Sequence, residues 1–103
     1  MTKELTITDT LRGNISLIEK SEFPFPIEGV QYVFDCGNGY GASVIKSKMS
    51  YGGKNGLWEL AMIKFNSEHR WDLYYHDIVN NDVLGYLEEK EVMGILEKIA
   101  KLK

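Results

Sequence analysis

A few groups of residues in this sequence have the types and spacing that chemistry uses. Two are glycine-rich: Gly37-Asn38-Gly39-Tyr40-Gly41 and Gly52-Gly53-Lys54-Asn55-Gly56. Such loops cradle phosphate when backbone N–H groups converge and a helix N-terminus receives the charge. The first run is spaced G-x-G-x-G and leads into a strand-like stretch, so it reads as a hairpin turn. The second does not fit G-x-x-x-x-G-K-[ST]; it is a donor-rich loop with one lysine, and holding an anion is the chemistry open to it. His76-Asp77 is a neighbouring pair without a Ser or Cys in a nucleophile elbow beside it, and His69 falls in a polar turn. Glu59 and Asp72 lie on adjacent predicted strands, either as a carboxylate pair or as the polar face of a sheet. Cys36 is the single cysteine, which excludes an internal disulfide, and no Cys/His cluster has zinc spacing. At the end of an apolar strand face it reads as a small hydrophobe. No catalytic residue, metal ligand or cofactor is assigned, and the chain reads as non-enzymatic.

Recognition chemistry is better represented. The sequence holds 2 Trp, 6 Tyr and 4 Phe, more aromatic side chains than a small core needs. Tyr32, Phe34, Trp58, Phe65 and Trp71 fall on predicted strands as core or cross-strand pairs. Tyr40, Tyr51 and one of Tyr74 and Tyr75 are expected at the surface. Charge is unevenly spread: no acid lies between Asp35 and Glu59, where Lys46, Lys48 and Lys54 fall, whereas acids crowd the stretch from Glu68 to Glu91. An acidic surface carrying tyrosines suits a basic protein partner, because Tyr is favoured at interface centres and opposite charge orients docking. The expected protein-binding residues are Tyr74, Tyr75, Asp77, Asp82 and Tyr86, with Tyr51, Gly52, Gly53 and Lys54 as a second recognition loop. The alternative is a nucleic-acid contact through Lys46, Lys48 and Lys54 beside Tyr51. A third reading is self-association through an edge strand or a free sheet face.

These residues need elements to hold them. Pro24 and Pro26 make Ser21 to Ile27 an extended connector, with Phe23, Phe25 and Ile27 expected to tuck under the sheet. Before it, Thr8-Asp9 is placed to cap a short helix running toward Lys20, with Leu11, Ile15 and Ile18 on one side. After it the period switches to two. Val30 to Cys36, Tyr40 to Ser47, Leu57 to Phe65 and Trp71 to His76 read as four strands with short connections. Asp82 is placed to cap one helical turn ending at Leu87. Val92, Ile95, Leu96, Ile99 and Leu102 then form the apolar stripe of a C-terminal helix opened by Glu88-Glu89-Lys90-Glu91. The expected fold is α+β in a single domain of 103 residues. It comprises an N-terminal helical segment and connector (1–27), a four-stranded antiparallel meander (28–77), and a helix (82–103) packed on one sheet face.

Composition sets the outer limits. With 12 Lys+Arg against 15 Asp+Glu the formal charge is −3, which argues against a duplex DNA binder working by bulk charge. Hydrophobic residues are 44% and charged ones 26%, which excludes wholesale disorder. No apolar run approaches the ~20 residues of a membrane helix, and the first residues lack a signal-peptide core. The expected setting is the cytoplasm of a bacterial cell, with no membrane partner. The runs Asn38–Val44, Ser50–Gly53, Gly56–Ala61 and Asp82–Leu87 together resemble small proteins encoded by bacteriophages and prophages, over about residues 28–102. That resemblance implies a phage accessory protein that binds a host or phage protein and modulates or inhibits a host activity. It brings no catalytic residue with it.

Overall fold

The alternating stretches of the middle of the chain pair in sequence order, each with the last. A computed structural model describes residues 11, 13–24, 26–67 and 70–102. Its strands are β1 (Ser16–Phe23), β2 (Gly29–Asp35), β3 (Tyr40–Ser47), β4 (Trp58–Ser67), β5 (Arg70–Leu73) and β6 (Leu84–Leu87). One helix, α1 (Glu89–Ala100), follows. All neighbouring strands are antiparallel, in the order β1-β2-β3-β4-β5, and β6 also pairs with β4. Thus β5 lies along one half of the free edge of β4, opposite Ile63 to Ser67, and β6 along the other, opposite Trp58 and Leu60.

The register decides what is buried. Tyr32 lies opposite Val44 and Val44 opposite Leu60, while Phe34, Ala42 and Met62 form the next rung. These side chains share one face, and α1 covers it with Val92, Leu96 and Ile99, all fully buried. The other face carries Val33, Ser43 and Ile63, buried between neighbouring strands, with a bond from Gln31 Nε2 to Ser43 Oγ at 2.7 Å. Phe65 and Trp71 face each other there across β4 and β5. This explains why β4 is apolar at nearly every position: both of its faces are partly covered.

Both ends of α1 are fastened. At the start, Glu88 is the N-cap of a capping box, and its N–H donates to Glu91 Oε1 at 3.0 Å. At the end, Asn38 Nδ2 donates to the carbonyls of Ile99 at 2.8 Å and Leu102 at 2.9 Å. Asn38 sits in the β2–β3 turn, where Gly37 (φ 80°) and Gly39 (φ 90°) take the left-handed conformations. The asparagine side chain serves both: its Oδ1 accepts from Tyr40 N–H at 3.2 Å within the turn, and its Nδ2 anchors the helix.

Several expectations are corrected. The sheet has six strands rather than four. The N-terminal helix toward Lys20 is not formed in the described part: residues 1–10 lie outside it, and Ser16 to Lys20 belong to β1. Gly13, at φ 63°, turns the chain before β1 and ends any helical period. The turn capped by Asp82 is instead the approach to β6, since Leu84 to Leu87 pair with β4. Ile27 is exposed rather than tucked under the sheet, and Phe25 lies outside the described residues.

The clamp at Asn38 has a measurable cost of removal. Asn38→Ala removes the two hydrogen bonds to the helix, worth roughly 1 kcal/mol each, and the bond from Tyr40 N–H, so the expected loss is at least about 2 kcal/mol. For a domain of this size that lowers Tm by roughly 10 °C in a thermal melt. Asn38→Asp, which sets a carboxylate against two carbonyl oxygens, is expected to cost more than Asn38→Ala.

Candidate functional site

The surface of interest starts with a loop that folds back on itself. Ser47 N–H donates to Ser50 Oγ at 2.9 Å, and that hydroxyl donates back to Ser47 O at 3.0 Å. A 3-10 turn over Gly53–Asn55 follows, with Gly52 and Gly56 at its ends both left-handed. Several of the loop's N–H groups are spent inside it: Gly53 donates to Ser50 O, Asn55 and Leu57 to Gly52 O, and Gly56 to Gly53 O. Tyr51 N–H donates to Glu59 Oε1 at 2.9 Å. Five of the loop's N–H donors are thus spent on its own acceptors, and one of those acceptors is a carboxylate, which weakens the case for an anion cradle here.

This loop lies against β6. Tyr86 N–H donates to Tyr51 O at 3.2 Å. A Cβ on Gly52 would stand 2.8 Å from Tyr86 Cα, and one on Gly85 would strike Tyr51 Cβ. The two backbones meet so closely that only glycine fits at either contact. Tyr86 sits in the bulge where β6 slips register against β4, at φ 57°. A left-handed backbone is unusual for a bulky residue and costs about 1–2 kcal/mol, so the surrounding contacts must hold it. The outcome is two exposed tyrosines on adjoining backbones, Tyr51 and Tyr86, with 61% and 60% of their surface in water. Residues assigned by sequence to two separate recognition segments are thus brought together.

The other expected contact residues divide. Tyr75 is exposed at 58%. Asp77 and Asp82 are exposed and held locally, Asp77 Oδ1 accepting from Asn81 Nδ2 at 3.0 Å and Asp82 Oδ1 from Val83 N–H at 2.8 Å. Tyr74 is half-buried, its ring 5.3 Å from that of Tyr40 and 6.1 Å from His76, with Lys64 Nζ 5.6 Å from its centre. Tyr40 is likewise half-buried rather than a surface residue. Gly52 is buried under Tyr86 and Gly53 is half-buried, so both act through backbone; Lys54 is exposed.

The basic group does not assemble. Lys46 retains 6% of its exposure and lays its ammonium 4.4 Å from the Trp58 ring centre, on the face that α1 covers. It sits opposite Val30 in the register, which explains its burial: an alternating strand places it with the core, and its long stem packs there. As a nucleic-acid contact Lys46 is corrected. Lys48 pairs with Glu28 Oε2 at 3.1 Å.

Among the described titratable candidates, His76 and Asp72 have local partners. His76 is the N-cap of a 3-10 turn over Asp77–Val79, its Nδ1 accepting from Ile78 N–H at 3.1 Å. Glu59 and Asp72 are not a carboxylate pair. Asp72 lies opposite Lys64 and accepts from Asn66, five positions along β4 from Glu59, a separation of roughly 16 Å at strand spacing. His69 lies outside the described residues. Among the described residues no group of three or more His, Cys, Asp or Glu is placed to hold a metal ion. Cys36 is buried and its thiol faces Leu96 O at 3.7 Å. Burial, with the nearby Asp35 charge second, pushes the thiol up from 9.0 to about 12.

Sequence reasoning missed the Tyr51–Tyr86 contact because β6 was read as helical. The signal was Gly85, a residue poor in a helix and needed where another backbone approaches.

Two outcomes follow for these residues. Tyr86→Gly relieves the left-handed backbone, so Tm is expected to hold or rise by up to about 5 °C, whereas a fall would mean the ring itself supports the fold. Cys36 is expected to resist a thiol reagent at pH 8 in the native protein and to react fully on denaturation. Its thiol ionises above pH 9.0 when unfolded and only near 12 when folded, so its contribution to stability is intact below 9.0 and declines as pH rises through that window. Rapid native labelling at pH 8 would contradict its burial.

Compared with protein-family models, with curated proteins and with solved structures, the chain matches none.

Proposed function

We propose that this chain is a small phage or prophage accessory protein that binds a basic protein partner through the Tyr51–Tyr86 surface and modulates or inhibits a host activity. The phage setting rests on the sequence resemblance over residues 28–102. The observation that carries the binding surface is the tyrosine pair itself. Two large aromatic side chains, 61% and 60% exposed, spring from backbones that meet there, fixed by the Tyr86–Tyr51 hydrogen bond and by glycine contacts on both sides. Exposed aromatics on a rigid frame supply contact area at little entropic cost, which is what interface hot spots use. Nearby charge supports a basic partner: residues 57–103 hold six basic and nine acidic side chains. The nucleic-acid alternative is weaker, because Lys46 is buried against Trp58 and Lys48 pairs with Glu28.

Capture from bacterial lysate on immobilised protein tests this, with Tyr51→Ala/Tyr86→Ala and Lys48→Ala/Lys54→Ala as comparison baits. The tyrosine variant is expected to lose a partner that the lysine variant keeps. A single Tyr→Ala change is expected to weaken the purified complex roughly 30-fold, the effect of a hot spot of about 2 kcal/mol. Salt-sensitive binding to single-stranded nucleic acid, lost in the lysine variant and kept in the tyrosine variant, would overturn the proposal.

A further inference from the structure

The strand β1 closes one side of the sheet, and its sequence is patterned in charge. Among the described residues no strand pairs with its outer edge, and most of its side chains are exposed. Lys20 and Glu22 lie opposite Tyr32 and Val30, which puts them on the face that α1 covers. Glu19, Ser21 and Phe23 lie opposite Val33, Gln31 and Gly29, on the other face. Between Leu17 and Glu19 the register slips, so Glu19 to Phe23 is the straight part of the edge.

Two copies of such an edge can pair antiparallel about a two-fold axis perpendicular to the sheet, which leaves each face continuous with itself. Residues directly opposed across an antiparallel pair point to the same face, so the axis must pass beside one residue rather than between two. An axis on Glu19 sets Glu19 against the partner's Glu19. An axis on Lys20 sets two lysines together, and one on Glu22 sets two glutamates together. Each of these places like charges opposite one another, which destabilises a pair. An axis on Ser21 does the reverse. It sets Lys20 opposite the partner's Glu22 and Glu22 opposite the partner's Lys20, with Glu19 beside the partner's Phe23. Opposed Cβ atoms are then about 5 Å apart, within reach of an ion pair.

From this we infer that the protein self-associates through β1, in the one register centred on Ser21, joining two six-stranded sheets into a continuous sheet. The charge pattern favours that register over those centred on Glu19, Lys20 or Glu22. The contact is a single strand edge, so the dimer is expected to be weak and to dissociate on dilution. It is independent of the Tyr51–Tyr86 surface, which lies at the opposite side of the sheet, beyond β4.

Sedimentation of the full chain across the micromolar to millimolar range tests the inference. The wild type is expected to pass reversibly from monomer to dimer, and Tyr51→Ala/Tyr86→Ala is expected to do the same. Lys20→Glu alone and Glu22→Lys alone each create like-charge pairs and are expected to remain monomeric. An equimolar mixture of those two variants restores both ion pairs and is expected to dimerise. The Lys20→Glu/Glu22→Lys double variant, with the composition of the wild type, is expected to dimerise as well. Lys20 also stands 5.6 Å from the Tyr32 ring centre, and the mixture separates loss of that contact from loss of the partner. A wild type that stays monomeric throughout, single variants that dimerise as strongly as wild type, or a mixture that does not associate would each overturn it.

Discussion

The constraint on which the rest depends is that one edge of β4 receives two strands. β5 takes the half opposite Ile63 to Ser67, and β6 takes the half opposite Trp58 and Leu60. Both run in the same direction, so the chain must leave the sheet after Leu73 and return at Leu84 further along the same edge. The excursion is not slack. It carries the 3-10 turn at Asp77–Val79 and delivers Val79 into the core beside Val92 and Leu96. Burying one such aliphatic side chain is worth roughly 1.5–3 kcal/mol, enough to fix the path of the excursion. The return as β6 then gives the loop from Lys48 to Leu57 something to lie against.

The helix imposes the second condition. α1 begins one residue after Glu88, directly beyond β6, and ends under the β2–β3 turn. Its start is held by reciprocal bonds between Glu88 and Glu91, and its end by Asn38. A short helix would be marginal alone, so these end contacts and its apolar stripe set its position together. With the helix set across β3 and β4, the other sheet face remains without a helix among the described residues. That division of the sheet separates roles. One face is core, one edge carries the tyrosines, and the opposite edge carries an alternating charge pattern.

Much of this was legible from residue order. The alternation of Val30, Tyr32, Phe34 and Cys36, the glycines around Asn38, and the stripe from Val92 to Leu102 all encode local geometry, and each element formed as expected. The two missed strands lack that signature for physical reasons. β1 is an edge strand with nearly every side chain in water, so no buried face imposes alternation on Ser16 to Phe23. β6 is four residues long and contains a bulge, and its identity comes from pairing with β4 rather than from its own pattern. Lys46 shows the same limit at a single residue. A lysine in a basic run reads as surface, yet strand parity assigns it to the core side, where Trp58 receives it. Tyr51 and Tyr86 each stand out in the sequence as candidates for recognition, but the meeting of their backbones depends on a long-range pairing that spacing does not reveal.

The central claim is that β6, by pairing with β4, brings the backbone of Tyr86 against Tyr51 and Gly52 and so builds the tyrosine surface. Proton NMR on the native protein tests this most directly. The account predicts a strong nuclear Overhauser contact between the α-protons of Gly52 and Tyr86, and slow hydrogen exchange at the Tyr86 amide, which donates to Tyr51 O. Absence of the Gly52–Tyr86 contact, with exchange of that amide at the rate of an unstructured peptide, would contradict it.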